Sequence, residues 1–396
     1  MASKLALDGG RPVRASLLKY ATQCLDEDDR DAVASVLRGD WLTTGPTVAA
    51  FEQALCEYSG ARGAVAVNTG TAALHAATCA AGVGPGNEVI VPAISFVASA
   101  NCVLYQQGIP VFADLSPDTL NIDPADVERK ITSRTRAIVA VDFAGHPCDH
   151  DALRQLADHH GIPIIEDAAH ALGATYHEKK VGTLQRFTTL SFHPVKHITT
   201  GEGGAVLTDE DALAKRMLSF RHHGIDLDLH SRGQRNSWEY DVVTLGFNYR
   251  IPDINCALGV SQLKKLDQWL VRRRAIAAAY RKELARFPML QLPEERLHCA
   301  SAWHLYVVRL NLETITSSRA EIFAALRAEN IGVNVHYIPI PWMTHYAQLG
   351  YQRGQWAVAE REYERVLTLP MYPAMTEQDI ADVVEAFNKI WEKYRR

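Results

Sequence analysis

The sequence predicts an α/β protein in which a mostly parallel seven-stranded sheet is followed by a smaller α+β domain. Over the first two thirds of the 396 residues, short apolar runs alternate with helix-like segments, the pattern of a parallel sheet covered on both faces. The chain is also 47% hydrophobic, which suffices for a large core. We expect a large domain with an N-terminal arm over residues 1–250, and a long connecting helix with a small domain over 251–396.

The strands of the large domain are predicted from apolar runs bounded by turn residues. Helices are predicted between them over 71–81 and 149–159. A further helix begins after Asp123, where Asp123 is the N-cap and Pro124 occupies the first helical position. The predicted strands are 64–67, 88–91, 110–113, 136–141, 162–165, 188–192 and 205–207.

The last third of the chain is predicted to contain a long helix followed by a smaller α+β domain. Residues 257–287 form one long helix with a near-3.5-residue apolar repeat interrupted by Arg273; packing along its own core is favoured over a coiled coil. Strands are expected over 303–310 and 333–338, flanking a helix over 319–330. The final helix begins at Thr376, with Asp379 three residues on. The stretch 226–241 is polar and without periodicity, so we expect a surface loop.

Composition and charge exclude several classes of protein. The net charge is −5, the pI is about 6.3, and the three arginines at 272–274 are too few for a nucleic-acid surface. The N-terminus lacks a signal-peptide core, and no apolar run reaches transmembrane length. The seven cysteines include no Cys-x-x-Cys pair, so we expect a cytoplasmic protein with reduced thiols. No metal site is expected at His146, His150, His159 or His160, because their spacing lacks supporting carboxylates.

One lysine and one aspartate suggest a specific chemistry. Asp167 closes an apolar run, and Lys196 follows the next strand-like run 29 residues later. A lysine so placed could bind the aldehyde of pyridoxal phosphate, while the carboxylate keeps the pyridine nitrogen protonated as an electron sink. Either residue alone is more simply a buried strand-end aspartate or an exposed lysine. The hypothesis therefore depends on the phosphate-binding and ring-binding residues nearby.

Those residues also follow predicted strands, where open α/β sheets bind their ligands. A Gly-Thr turn opens the helix after the first strand, and its free N–H groups would hold a phosphate at Gly70, Thr71 and Ala72. The Ser191 hydroxyl could reach the same phosphate. Phe96 could stack on the ring, although a lone phenylalanine is more often core. His170 could bond the ring's phenolic oxygen, or be a solvated loop histidine.

At these residues the chain resembles the DegT/DnrJ/EryC1/StrS family of sugar aminotransferases, which are fold-type I pyridoxal phosphate enzymes. The resemblance covers nearly the whole chain in family order. The matching motifs are Trp-Leu-Thr-Thr-Gly-Pro at 41–46, Asn-Thr-Gly-Thr-Ala-Ala-Leu at 68–74, Glu-Asp-Ala-Ala-His at 166–170, Ser-Phe-His-Pro-Val-Lys at 191–196, and the segments 201–204, 245–253 and 335–339.

The resemblance implies a role for each matching residue. Lys196 is the lysine that binds the cofactor covalently, Asp167 the pyridine partner, and His170 the neighbour of the ring oxygen. Thr71 and Ser191 contact the phosphate together with Asn248, which in the family comes from the second subunit and so implies a homodimer with shared active sites. The substrate pocket is implied to include Trp41, Thr43, Thr44, Arg250, His336 and Tyr337.

The resemblance also implies a reaction, the transfer of an amino group from L-glutamate to a nucleotide-linked 4-keto-6-deoxy sugar. Segments 191–204 and 98–105 most resemble the pseudaminic-acid transaminases, which aminate C4 of UDP-4-keto-6-deoxy-N-acetyl-L-altrosamine. Three alternatives remain open: a GDP- or dTDP-linked sugar, a sugar dehydratase, or a non-catalytic cofactor-binding regulator. Lys196 counts against the dehydratase, because those relatives carry histidine at the matching position.

Overall fold

The computed structural model describes residues 4–225 and 238–396, and three sheets lie within these ranges. The largest has seven strands, and the other two have three strands each. In chain order the strands are β1 Gly63–Val67, β2 Glu88–Pro92, β3 Ile109–Ala113, β4 Thr135–Val141, β5 Ile164–Asp167, β6 Thr175–Tyr176, β7 Lys179–Lys180, β8 Phe187–Ser191, β9 Gly204–Thr208, β10 Leu290–Gln291, β11 Cys299–Ala300, β12 Tyr306–Leu310 and β13 Val366–Leu369.

The central sheet confirms the predicted mostly parallel seven-stranded architecture. Its strand order is β1-β9-β8-β5-β4-β2-β3, and β9 alone runs antiparallel to its two neighbours. The register pairs Val141 of β4 with Asp167 of β5, and Asp167 with Thr189 of β8. Asp167 therefore stands at the carboxyl edge of the sheet, where parallel strands present ligand-binding residues.

Helices cover both faces of this sheet. Val89 and Val91 pack into one hydrophobic cluster, while Ile90 between them packs into another, as expected for a strand buried on both sides. Asp123 and Asp149 cap their helices as their side chains accept backbone N–H groups. The helices up to residue 221 are α1 Glu27–Leu37, α2 Pro46–Ser59, α3 Gly70–Ala80, α4 Ala98–Tyr105, α5 Pro124–Lys130, α6 His150–His160 and α7 Asp211–Arg221.

The predicted single helix over 257–287 is wrong, because the structure has two helices, α8 Asp253–Leu263 and α9 Leu266–Leu284. The break falls where Lys265 forms ion pairs with Asp26 and Asp29. Lysine is a good helix former, so local sequence does not indicate a break that coincides with tertiary contacts. Arg273, which interrupted the apolar repeat, is buried and donates to the carbonyl oxygens of Trp303, His304 and Met371.

The C-terminal part is built around a second core. Strands β10, β12 and β13 form an antiparallel sheet. The helices in this part are α10 Arg319–Ala328, α11 Thr344–Gln348, α12 Ala357–Tyr363 and α13 Glu377–Tyr394. Ser318 and Thr376 begin α10 and α13 with capping boxes, which confirms the start predicted at Thr376. Leu5 and Leu18 of the N-terminal segment pack into this core rather than into the central sheet.

Two further expectations have different outcomes. The strand predicted over 333–338 is wrong, because only Asn334 forms a bridge, to Thr368, and the rest is irregular. The loop predicted over 226–241 lies mostly outside the described residues. No helix in the described part of the chain is long and apolar enough to cross a membrane. The domain boundary near residue 250 stays a prediction.

Candidate active site

Asp167 provides a buried carboxyl group in the candidate site. It is the last residue of β5, and only 4% of it is exposed. Its Oδ2 accepts a hydrogen bond of 2.7 Å from Ser99 Oγ, and its Oδ1 accepts one of 3.2 Å from the N–H of Ala169. Ser99 Oγ lies in turn 2.8 Å from Ser95 Oγ. The carboxylate is thus held in place from two sides.

The environment of Asp167 contains opposing influences on its pKa. Burial raises the pKa of the carboxyl above its usual value, while the hydrogen bonds from Ser99 and Ala169 and the charge of Lys196 lower it. The raised pKa is the net result. A cation next to this carboxyl group would favour its ionised form. The pyridinium ring predicted from the sequence would be such a cation.

Lys196 follows β8 in a turn, where its N–H donates to His193 O at 2.9 Å. The residue is half-buried. Burial lowers the pKa of its amine to about 8, although the charge of Asp167 acts in the opposite direction. At pH 7 about one amine in ten is then unprotonated, far more than for a free lysine. An unprotonated amine is what attack on an aldehyde and removal of a proton both require.

His170 lies three residues beyond Asp167 and is a neutral imidazole. Its Nε2 lies 3.3 Å from Tyr337 Oη, while its Nδ1 is buried without a hydrogen-bond partner in the described part of the chain. Burial and the nearby charge of Lys196 lower the pKa of His170 well below its usual value. The His304 ring lies 4.4 Å from the His170 ring, centroid to centroid. The unpartnered nitrogen is available to a ligand.

The turn that the sequence predicts to bind phosphate lies between β1 and α3. Thr69 is the N-cap, and its Oγ1 accepts the N–H of Ala72 at 3.0 Å. The expectation that the Ala72 N–H is free is therefore wrong, because this N–H already donates a hydrogen bond to the capping side chain of Thr69. The first-turn N–H groups of Gly70 and Thr71 have no carbonyl within the helix and remain for an anion.

Ser191 and Gly70 pack directly against each other. A Cβ at residue 70 would lie 2.8 Å from the Cβ of Ser191 and 3.0 Å from its Oγ. Only glycine permits this approach, which brings the Ser191 hydroxyl to the start of α3. The structure thus brings Ser191 to the turn at Gly70, and the phosphate contacts of Thr71 and Ser191 stay a prediction.

Phe96 is not a core residue. Its side chain is 55% exposed, and its ring centroid lies 6.1 Å from that of Tyr337. Tyr337 also contacts His170, so Tyr337 connects Phe96 with the histidine. An exposed phenylalanine in such a position is available for stacking on a bound ring.

The predicted substrate residues fall into two groups. Asp253 accepts the N–H groups of Gly45 and Thr47 at 2.8 and 2.9 Å, and Thr43 forms a bridge to Pro252. These contacts join the segment of Trp41, Thr43 and Thr44 to the segment of Asn248 and Arg250. Trp41 and Asn248 are exposed, and Arg250 Nη1 lies 2.9 Å from His222 Nδ1.

The second group is His336 and Tyr337, which lie beside His170. His336 is buried, and its Nδ1 lies 2.8 Å from Thr368 Oγ1. Burial lowers the pKa of His336 to about 4, so the ring is neutral at physiological pH. A buried ring held by Thr368 is better suited to supporting Tyr337 than to contacting a substrate.

Comparison with known proteins identifies the family. The model of the DegT/DnrJ/EryC1/StrS aminotransferase family matches residues 23–388. The chain belongs to this family. It is 39% identical to the spore coat polysaccharide biosynthesis protein SpsC of Bacillus subtilis over 380 residues, which cover 95% of this chain and 98% of SpsC.

Solved structures of the family share the fold. Helicobacter pylori PseC, an aminotransferase involved in the biosynthesis of pseudaminic acid, is 34% identical with a TM-score of 0.89, covering 95% of this chain and 100% of PseC. Spr1654 of Streptococcus pneumoniae in its PMP form is 31% identical with a TM-score of 0.90, covering 95% of this chain and 99% of that chain. Spr1654 has also been solved in a PLP form. These comparisons confirm a fold-type I transaminase that uses pyridoxal phosphate.

The side chains present fit this cofactor. The site offers an amine with a lowered pKa at Lys196, a buried carboxylate at Asp167, and an unpartnered imidazole nitrogen at His170. The N–H groups of Gly70 and Thr71 and the Ser191 hydroxyl would hold the phosphate of the cofactor. Pyridoxal phosphate requires an amine for its aldehyde, an acidic partner for its ring nitrogen and a binding site for its phosphate, and these residues can provide all three.

Sequence reasoning missed three residues that complete the site. Ser95 lies in the bend that precedes α4, and Ser99 is the second residue of α4. Their contact depends on how the chain turns between β2 and α4, which the sequence does not indicate. His304 gave a weak signal, a histidine between Trp303 and Leu305 in an apolar run, and its contact with His170 crosses 134 residues of sequence.

Proposed function

We propose that the protein transfers the amino group of L-glutamate to a nucleotide-linked 4-keto-6-deoxy sugar. The proposed acceptor is UDP-4-keto-6-deoxy-N-acetyl-L-altrosamine, aminated at C4. The observation that carries the proposal is the pairing of Lys196, whose amine pKa is lowered to about 8, with the buried carboxylate of Asp167. Similarity to PseC along 95% of the chain supports the sugar assignment.

The proposed chemistry assigns one task to each residue. Bound pyridoxal phosphate supplies a cationic ring that accepts the electron pair left when the donor's α-proton departs. Asp167 keeps a proton on the ring nitrogen, since a neighbouring carboxylate favours the charged ring. Lys196 Nζ removes the α-proton as a general base, a role typically worth about 10²–10⁴-fold in rate. Gly70, Thr71 and Ser191 hold the phosphate.

We further propose a homodimer with shared active sites. Trp238, Val243 and Leu245 are 85%, 60% and 81% exposed, and this apolar stretch leads to the exposed Asn248. Clustered apolar exposure of this kind marks interaction surfaces. A second copy covering the stretch would receive Asn248 at its phosphate site. The seven free cysteines support a reducing cytoplasmic location.

A panel assay tests the function. UDP-, GDP- and dTDP-linked 4-keto-6-deoxy sugars are incubated with the enzyme, pyridoxal phosphate and L-glutamate, and the products are identified by mass spectrometry and NMR. Lys196→Ala is the matched control. We expect a UDP-linked 4-amino sugar and stoichiometric 2-oxoglutarate, with neither formed by the control.

Each alternative has its own outcome in this assay. A GDP- or dTDP-linked product would change the substrate but keep the chemistry. Loss of a sugar hydroxyl without amine transfer would indicate a dehydratase. If the purified cofactor-bound protein shows no change in its visible spectrum with glutamate, the transaminase proposal fails and a cofactor-binding regulator is favoured.

A further inference from the structure

Behind Asp167 lies a second group of buried titratable residues, Asp142, His150 and Glu166, here called the carboxyl–histidine cluster. All three side chains are 0% exposed. Asp142 follows β4, His150 is the first residue of α6, and Glu166 precedes Asp167 in β5. The sequence-based expectation that His150 lacks supporting carboxylates is therefore wrong, because the fold brings two to it.

The contacts within the cluster centre on His150. Its Nε2 lies 3.1 Å from Asp142 Oδ1 and 3.3 Å from Glu166 Oε1. Its Nδ1 lies 3.0 Å from the side-chain amide of Gln185. One oxygen of each carboxyl also has a donor outside the cluster, the Cys148 N–H at 2.9 Å for Asp142 and the Thr188 hydroxyl at 2.5 Å for Glu166.

The second oxygen of each carboxyl group lacks a hydrogen-bond donor among the residues that the structure describes, so any negative charge of the cluster would be incompletely compensated. Asp142 Oδ2 and Glu166 Oε1 are buried and accept no hydrogen bond from any described residue. Two ionised carboxylates beside a neutral imidazole would leave two negative charges in a site closed to solvent, at a large electrostatic cost. Protons held by the cluster remove this cost. Buried carboxyl pairs that share protons are a known consequence of such proximity.

The raised pKa values of Glu166 and His150 favour protonation of the cluster. Burial, followed by the charge of Asp142, raises the pKa of Glu166 above its usual value. Burial lowers the pKa of His150, but the two carboxylates outweigh it and the net pKa is raised. Other titratable groups near the cluster include Arg154 on α6, which lowers the pKa of His150, the Cys148 thiol, and the Tyr176 ring at 5.5 Å from the His150 ring. His146 and Cys299 also interact electrostatically with Asp142.

Two features connect the cluster to Asp167. Glu166 and Asp167 are consecutive in β5, and the Asp142 N–H donates to Asp167 O at 3.1 Å. The charge of Asp142 also raises the pKa of Asp167. Any additional negative charge in the cluster would therefore act against ionisation of Asp167, on which the proposed function depends.

We propose that His150 and a proton shared within the carboxyl–histidine cluster balance its two carboxyl groups and thereby keep Asp167 ionised. The cluster does not touch substrate or cofactor, so its members are positioning residues. This inference rests on the proposed role of Asp167 at the cofactor ring.

Three variants separate the contributions of charge. His150→Gln removes the cation and should raise the pKa of Asp167. Glu166→Gln replaces a protonated carboxyl by a neutral amide of the same shape and should change little. Asp142→Asn combined with His150→Gln removes one charge of each sign and should restore the wild-type behaviour. His159→Gln, an exposed position on the same helix, is the matched control.

Two pH profiles are measured for each variant. The first is the pH dependence of the visible spectral change on mixing the cofactor-bound enzyme with L-glutamate. The second is the cofactor retained after dialysis as a function of pH, which requires no turnover. For His150→Gln we expect the acidic limb of both profiles to move up by about one pH unit, since a lost neighbouring charge shifts a pKa by about that amount. The sign is upward because Asp167 loses its charge at a higher pH when its pKa rises.

Several results would overturn the inference. They are unshifted profiles in a folded His150→Gln protein, failure of the double variant to restore them, or an equal shift for Glu166→Gln. Stoichiometric bound metal in the wild type that is lost in Glu166→Gln, measured by elemental analysis, would show that a cation rather than a proton balances the cluster. If His150→Gln fails to fold, the inference is still tested by the Glu166→Gln profiles and by the metal analysis.

A wild-type enzyme unresponsive to glutamate would contradict the proposed function. The cofactor-retention profiles would still test the role of the cluster, because they require no turnover.

Discussion

Ser99→Ala removes the hydrogen bond that most favours the ionised form of Asp167. Ser99 Oγ donates to Asp167 Oδ2 at 2.7 Å, and both residues are buried. Alanine fills nearly the same space, so the main change is loss of one donor to a carboxylate. Since burial already raises the pKa of Asp167, the carboxyl should then become protonated at a higher pH.

The size of the effect follows from the strength of the bond. A hydrogen bond to a charged group contributes about 1.5–3 kcal/mol, and one pKa unit corresponds to about 1.36 kcal/mol. Removing the donor should raise the pKa of Asp167 by about one to two units. Asp167 supports the ring nitrogen only when ionised, so activity present above its pKa should disappear earlier as the pH falls.

The assay is a stopped-flow measurement of the cofactor's spectral change with L-glutamate across the acidic pH range. We expect the acidic limb for Ser99→Ala to move up by about one to two pH units, with an unchanged rate on the plateau. Ser95→Ala is the control, because Ser95 Oγ contacts Ser99 Oγ at 2.8 Å and not the carboxylate, and its shift should be smaller. A folded Ser99→Ala enzyme with the wild-type limb would refute this account of Asp167.

Three further variants test the site and the fold. Lys196→Ala should lose at least about 10²–10⁴-fold in transamination rate because the general base is gone, as measured by 2-oxoglutarate release; wild-type turnover would remove Lys196 from the mechanism. Asp167→Ala should bind the cofactor yet lose most of the rate, as measured with saturating glutamate, and a near-wild-type rate would contradict its role. Arg273→Leu should destabilise the protein by about 3 kcal/mol or more in urea unfolding, because it leaves buried carbonyls without donors, whereas Arg274→Leu at an exposed position should change little.

Much of the site could be predicted because its residues follow strand ends. An apolar run that ends in a carboxylate places Asp167 at the carboxyl edge of a parallel sheet, and the neighbouring strand β8 ends at Ser191 on the same edge. The alternation of apolar runs and helices predicted the central sheet for the same reason. These features depend on local periodicity, which a single sequence carries.

What could not be predicted depends on tertiary contacts. Two threonines flank Gly70, and local sequence does not decide that Thr69 caps α3 and takes the Ala72 N–H. The break between α8 and α9 coincides with ion pairs of Lys265 that reach α1. The carboxyl–histidine cluster joins β4, β5 and the helix α6, and the pairing of the two strands is known only after folding.

The most direct test of the central claim is to find the residue that binds the cofactor covalently. The protein is loaded with pyridoxal phosphate, reduced with borohydride, digested, and analysed by tandem mass spectrometry. We expect a single phosphopyridoxyl label on Lys196 in the wild type and none in Lys196→Ala. Labelling of another lysine, or of none, would contradict the account.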